Sequence, residues 1–94
     1  MGEKFPTGHL VTTAGVNDRA ASDEAFAKFV RKSLQRHEQG DWGDLSAEDT
    51  LENEYALGKQ LRLFSAYEHD GLPKIWIITE ADRSVTTVLY PEEY

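Results

Sequence analysis

The chain of 94 residues contains no cysteine. That excludes disulfides and thiolate metal sites, and it points to a reducing cytoplasm. No apolar run approaches the roughly 20 residues that span a bilayer, and no secretory pattern opens the chain. The expectation is therefore a cytoplasmic protein with no membrane contact. Basic residues are scarce, 10 against 17 acidic ones, for a formal charge of −7. A surface of that sign repels nucleic acid unless a local basic stripe overrides the average. No direct nucleic-acid binding is expected on that ground. Gly-rich phosphate loops, Gly-x-Ser-x-Gly elbows and His-Glu-x-x-His pairs are all missing, so no cofactor or metal is implied.

What is present fits one domain over residues 1–94, because cores of this size rarely split. Residues 1–8 read as a flexible leader, with Pro6 and Gly8 as breakers, and 91–94 as a short tail. His9 to Thr13 is rich in β-branched residues and reads as an edge strand; Gly15 to Ala21 reads as a loop. Ser22 then caps a helix whose Phe26, Phe29, Val30 and Leu34 follow one buried face. Arg36 and His37 suit the carbonyl-rich end of that helix, and Gly40 terminates it. Ser46 opens a second helix, with Asp49 completing a capping box. Ala47, Leu51 and Tyr55 form its apolar stripe, and Gly58 ends it.

Three strands follow. Leu61 to Glu68 alternates, and His69-Asp70-Gly71 turns the chain. Ile75 to Glu80 is apolar on both faces, as a central strand should be. Ala81 to Ser84 turns again into Val85 to Tyr90, which places Thr79 opposite Thr86, Ile77 opposite Val88 and Trp76 opposite Leu89. The fold class is α+β: two helices packed on a three- to four-stranded antiparallel sheet, in the order (β)ααβββ. Trp76, Ile77, Ile78 and Val88 are expected to form the core with Phe26, Val30 and Leu34. The face away from the helices should stay partly apolar, with Phe64 and Tyr90 as candidates for a homodimer contact.

Acidity is concentrated in the middle. Residues 41–60 carry one basic and six acidic groups: Asp41, Asp44, Glu48, Asp49, Glu52 and Glu54. Their spacing does not supply the alternating oxygens of a calcium loop, so no metal site is assigned. They form instead a candidate docking surface for a protein partner with a basic surface. His9, His37 and His69 share no ligand spacing; His37 reads as a helix-end residue and His69 as a turn residue. A competing reading is a small nuclease of the helix-then-antiparallel-sheet type. In it Glu68, His69, Glu80 and Arg83 supply a general base, a general acid and a phosphate clamp. Trp42, between two glycines, reads as a plug beneath the helix–helix connection.

The stretches GDWGDLSAEDTLENEYAL, LRLFSAY and KIWIITEADRSVTTVLYPEEY resemble a family of short uncharacterised bacterial proteins associated with plasmids, phages and other mobile elements. Some are labelled plasmid-related or restriction-system subunits. The resemblance covers residues 40–94 closely and the front half loosely. It implies a mobile-element setting and brings no catalytic residues. A methyltransferase subunit is excluded by the short chain and by the lack of an adenosylmethionine-binding loop. Together these readings favour a small acidic interaction protein of a mobile element, acting on a basic host or defence-system protein.

Overall fold

The computed structural model describes residues 3–94. Four strands, β1 (His9–Thr12), β2 (Leu63–Tyr67), β3 (Ile75–Thr79) and β4 (Val85–Leu89), form one sheet in the order β1-β4-β3-β2. The helices are α1 (Ala14–Ser22), α2 (Glu24–Glu38) and α3 (Ala47–Lys59). The fold is α+β as the sequence implies, with two differences. There are three helices among the described residues, and the sheet is mixed, because β1 runs parallel to β4.

The parallel strand follows from how the N-terminal segment is held. Phe5 and Thr7 are buried, and the Lys4 amide donates to the Glu38 carbonyl at 2.8 Å, so this segment is anchored to the fold at these residues. Met1 and Gly2 of the expected leader lie outside the described residues. Gly8 adopts φ +66°, and a Cβ there would lie 2.2 Å from the Ser84 carbonyl oxygen. Only glycine lets the chain pass so close to the 81–84 turn. The His9 amide then donates to that carbonyl at 2.9 Å, which starts β1 beside the first residues of β4. The C-terminal residues are ordered too: Pro91–Glu93 form a 3₁₀ turn.

Residues 14–22 form a helix where the sequence suggested a loop. Thr13 caps it by accepting from the Val16 amide, and Val16 is its one fully buried side chain. Ser22 closes this helix instead of opening the next. Asp23 is the cap of α2, accepting from the Phe26 amide at 3.1 Å. Its carboxyl is held below the usual range by that bond and by Arg19 beside it. α3 does begin at Ser46, which accepts from the Asp49 amide. It continues through Gly58 to Lys59 and ends on Gln60 in the left-handed region.

The β3–β4 register matches the sequence reading: Thr79 pairs with Thr86, Ile77 with Val88 and Trp76 with Leu89. Ile77, Val88, Ile75 and Tyr67 face α1 and α2, packing with Val16, Phe26 and Val30. Leu34 is only partly buried at the margin of this cluster. Trp76 and Ile78 belong to the opposite face, since successive strand residues point to opposite sides. A second cluster of Phe5, Trp42, Ala56 and Leu63 lies where α3 meets β2. Trp42 is thus buried beneath the α2–α3 connection, as expected of a plug.

Ile77 is fully buried at the centre of the first cluster. Ile77→Ala should therefore destabilise the fold by about 2–5 kcal/mol, measured by urea titration. A loss below about 1 kcal/mol would place Ile77 outside the core.

Candidate functional site

The sequence-derived quartet is split by the fold. Glu68 and His69 follow the end of β2, beside the start of β3, because Tyr67 pairs with Ile75. Glu80 and Arg83 lie beyond the far end of β3, about 13 Å away along a five-residue strand. Glu68 is paired with Lys74 at 3.3 Å and Glu80 with Arg62 at 3.5 Å. Arg83 is buried, and its guanidinium donates to the carbonyls of Leu61 (2.6 Å), Glu80 (3.1 Å) and Ala56 (3.3 Å). It closes the C-terminal end of α3 and is not available as a phosphate clamp. Burial pulls its pKa below the ordinary arginine value.

His37 lies in the last turn of α2, as expected of a helix-end residue, but its side chain points inward. It is fully buried, as the last of an inward stripe on α2 made by Phe26, Val30, Ser33 and His37. Its Nδ1 lies 2.5 Å from Ser65 Oγ and its Nε2 lies 2.9 Å from Thr79 Oγ1. Thr79 Oγ1 is 2.7 Å from Thr86 Oγ1, and the Thr86 hydroxyl donates to the Thr7 carbonyl at 2.8 Å. A carbonyl only accepts, so the direction of the whole chain follows. Thr86 gives its proton to Thr7, Thr79 must donate to Thr86, and His37 must donate to Thr79 through Nε2–H. Nδ1 is then bare and accepts from Ser65. The imidazole is neutral, and burial, reinforced by the positive charge of Arg83, holds its pKa down at about 3.

The acidic residues divide into two groups. Asp41 is bound to Arg36 through two bonds of 2.7 and 3.1 Å, which hold its carboxyl below the ordinary range. Asp44 accepts from the Glu68 amide at 2.9 Å, and Glu54 from the Trp42 indole N–H at 2.8 Å. Asp41 thus ties the α2–α3 connection to α2, Asp44 ties it to the end of β2, and Glu54 ties it to α3. Glu48, Asp49 and Glu52 are exposed on α3, and no ion pair among the described residues uses them.

The carboxylates face solvent as expected, but the Ala47, Leu51 and Tyr55 stripe, expected to be buried, faces solvent too. Asn53 and Ala56 point inward, while Leu51 and Tyr55 are 70% and 63% exposed. The cause is the open edge of β2. The Asn53 side-chain amide donates to the Phe64 carbonyl, and its oxygen accepts from the Phe64 amide at 3.1 Å. An asparagine thereby replaces a neighbouring strand, and turning it inward turns Leu51 and Tyr55 outward. Lys59 lies over the Tyr55 ring at 5.8 Å.

Two other surfaces stand out. A groove along α2 is lined by Lys28, Phe29, Arg31, Lys32 and His69. The outer sheet face bears a hollow of about 250 Å³ among Phe64, Trp76, Ile78 and Tyr94. Phe64 is on that face as expected. Tyr90 is not: it packs against Phe26 and donates to the Gly15 carbonyl. Among the described residues, no three His, Asp or Glu gather into a potential ion site, and no helix is long and apolar enough to cross a membrane. Comparisons with protein-family models, curated proteins and solved structures found no match.

His37 generates a pH dependence of stability. The unfolded chain takes up a proton at this residue below the ordinary value of 6.5, whereas the folded chain resists until about pH 3. The contribution is whole above 6.5 and is lost as pH falls, by about 1.4 kcal/mol per pH unit. Urea titrations at stepped pH should show this slope before carboxylates enter, and His37→Gln should flatten it. An unchanged slope in the variant would exclude His37 as its source.

Proposed function

We propose that this chain is a small interaction protein whose α3 outer face docks a protein partner presenting basic and apolar side chains. The observation that carries this reading is the exposure of Leu51 and Tyr55, two large apolar side chains one helical turn apart. Glu48 and Glu52 flank them, also one turn apart and without ionic partners among the described residues. Like charges at that spacing repel by a few tenths of a kcal/mol, which a Lys or Arg from a partner relieves. An apolar stripe with an acidic border is complementary to a basic amphipathic segment, where the apolar contact provides affinity and the charges steer encounter. The resemblance to mobile-element proteins supports a bacterial host or defence protein as the class of partner. The alternative, a small nuclease, needs Glu68, His69, Glu80 and Arg83 around one phosphodiester, and their positions at two ends of the sheet give it no support.

Affinity capture from bacterial lysate at low and high salt, followed by binding to the purified captured protein, tests the reading. E48K/E52K and Leu51→Ser should each fold normally, within about 0.5 kcal/mol of the parent, because all three side chains are exposed. Each should weaken binding at least about tenfold, or 1.4 kcal/mol. Undiminished binding by both variants would place the docking surface elsewhere.

A further inference from the structure

The negative total charge hides a local reversal. Residues 24–36 hold four basic side chains, Lys28, Arg31, Lys32 and Arg36, against one carboxylate, Glu24. Lys28, Arg31 and Lys32 are exposed on one face of α2, at the spacing of helical neighbours. None of them enters an ion pair among the described residues. They border an open groove of about 850 Å³. The one carboxylate lining it, Glu68, is already paired with Lys74. Arg36 also lines it but is held by Asp41. At the rim His69 is exposed, and its ring lies nearly parallel to Phe29, 5.9 Å away and tilted by 29°. His69 is thus an exposed aromatic ring beside the basic stripe.

We propose that this groove binds a short single-stranded nucleic acid, with its phosphates on Lys28, Arg31 and Lys32 and one base stacked on His69. This is a second site, separate from the α3 docking face. From Lys28 to Lys32 the helix rises about 6 Å, which matches about two nucleotide steps of about 3.4 Å and so three successive phosphates. Charges elsewhere on the protein are damped beyond a Debye length of about 8–10 Å, so the local basic stripe governs the contact. Stacking on an aromatic plate requires an unpaired base, which selects a single strand over a duplex.

Fluorescence anisotropy with labelled mixed-sequence RNA and DNA 12-mers, beside inorganic polyphosphate as a competitor, tests the proposal. At low salt at least one oligonucleotide should bind, and comparing the two arms identifies which nucleic acid is preferred. Three phosphate contacts give a slope near −2 in log K against log salt, so affinity should fall roughly 20-fold between about 50 and 200 mM. K28E/K32E should abolish binding with the circular dichroism spectrum unchanged. His69→Ala should weaken oligonucleotide binding several-fold and leave polyphosphate binding alone. The proposal is overturned if neither oligonucleotide binds or if K28E/K32E binds like the parent. It is also overturned if His69→Ala affects both ligands equally, which would indicate a plain polyanion patch. Low-salt self-association abolished by both K28E/K32E and E48K/E52K would instead assign the groove to a second copy of the chain.

Discussion

The neutral imidazole of His37 is the interaction on which the frame depends. It lies where α2, β2, β3 and the N-terminal segment converge, and its hydrogen bonds reach all of them through Ser65, Thr79, Thr86 and Thr7. Phe5 and Trp42 meet its ring edge-on at 5.3 and 5.6 Å, so the polar chain is sealed within an aromatic enclosure. Such a network favours one arrangement over others only when every member is satisfied. Here it is satisfied: no buried side-chain nitrogen or oxygen among the described residues lacks a partner. In a domain of this size, where apolar burial alone leaves little margin, that specificity matters more than an added methyl group.

Treatment of the β2 edge decides what the protein shows to solvent. Asn53 closes the edge at Phe64, and the Trp42–Asp44 segment closes it at Ala66, where the Asp44 amide donates at 2.7 Å and the Trp42 carbonyl accepts at 3.3 Å. Gly43 permits this approach, since a Cβ there would lie 2.0 Å from the Ala66 oxygen. A covered edge cannot recruit further strands. The helix that covers it is left with Leu51, Tyr55 and three carboxylates outward. The exposed acidic-apolar face is thus a consequence of edge protection.

Much of the frame was legible in local chemistry. The Asp82–Ser84 turn set the hairpin register, since Asp82 Oδ1 accepts from both the Ser84 amide and hydroxyl. Ser46 and the alternation of β2 were equally plain. α1 was missed because its sequence, AGVNDRAAS, buries a single side chain completely and so carries almost no periodicity. α3 was turned the wrong way because its inward residue is an asparagine serving a strand edge, which a hydrophobic pattern cannot reveal. The helix-end position of His37 is legible, but its burial is not, because a histidine next to Arg36 resembles a cation facing solvent. The usable signal was its place four residues after Ser33 and seven after Val30, on the buried stripe. Of the candidate site residues, Glu48, Asp49 and Glu52 emerge as a solvent-facing group. Asp41, Asp44, Glu54 and Arg83 serve structural roles that arise from contacts distant in sequence.

Opposite charges are carried by separate helices, with the basic stripe on α2 and the acidic border on α3. The buried histidine joins α2 to the sheet, and Asn53 sets α3 on the β2 edge. The most direct test is therefore nitrogen-15 NMR of the His37 imidazole across the pH range of the folded state. The structure requires the Nε2–H tautomer, with Nδ1 unprotonated, persisting well below the ordinary value of 6.5 toward about pH 3. A His37 ring that titrates near 6.5 in the folded protein, or that carries its proton on Nδ1, would contradict the directed network and the frame built on it.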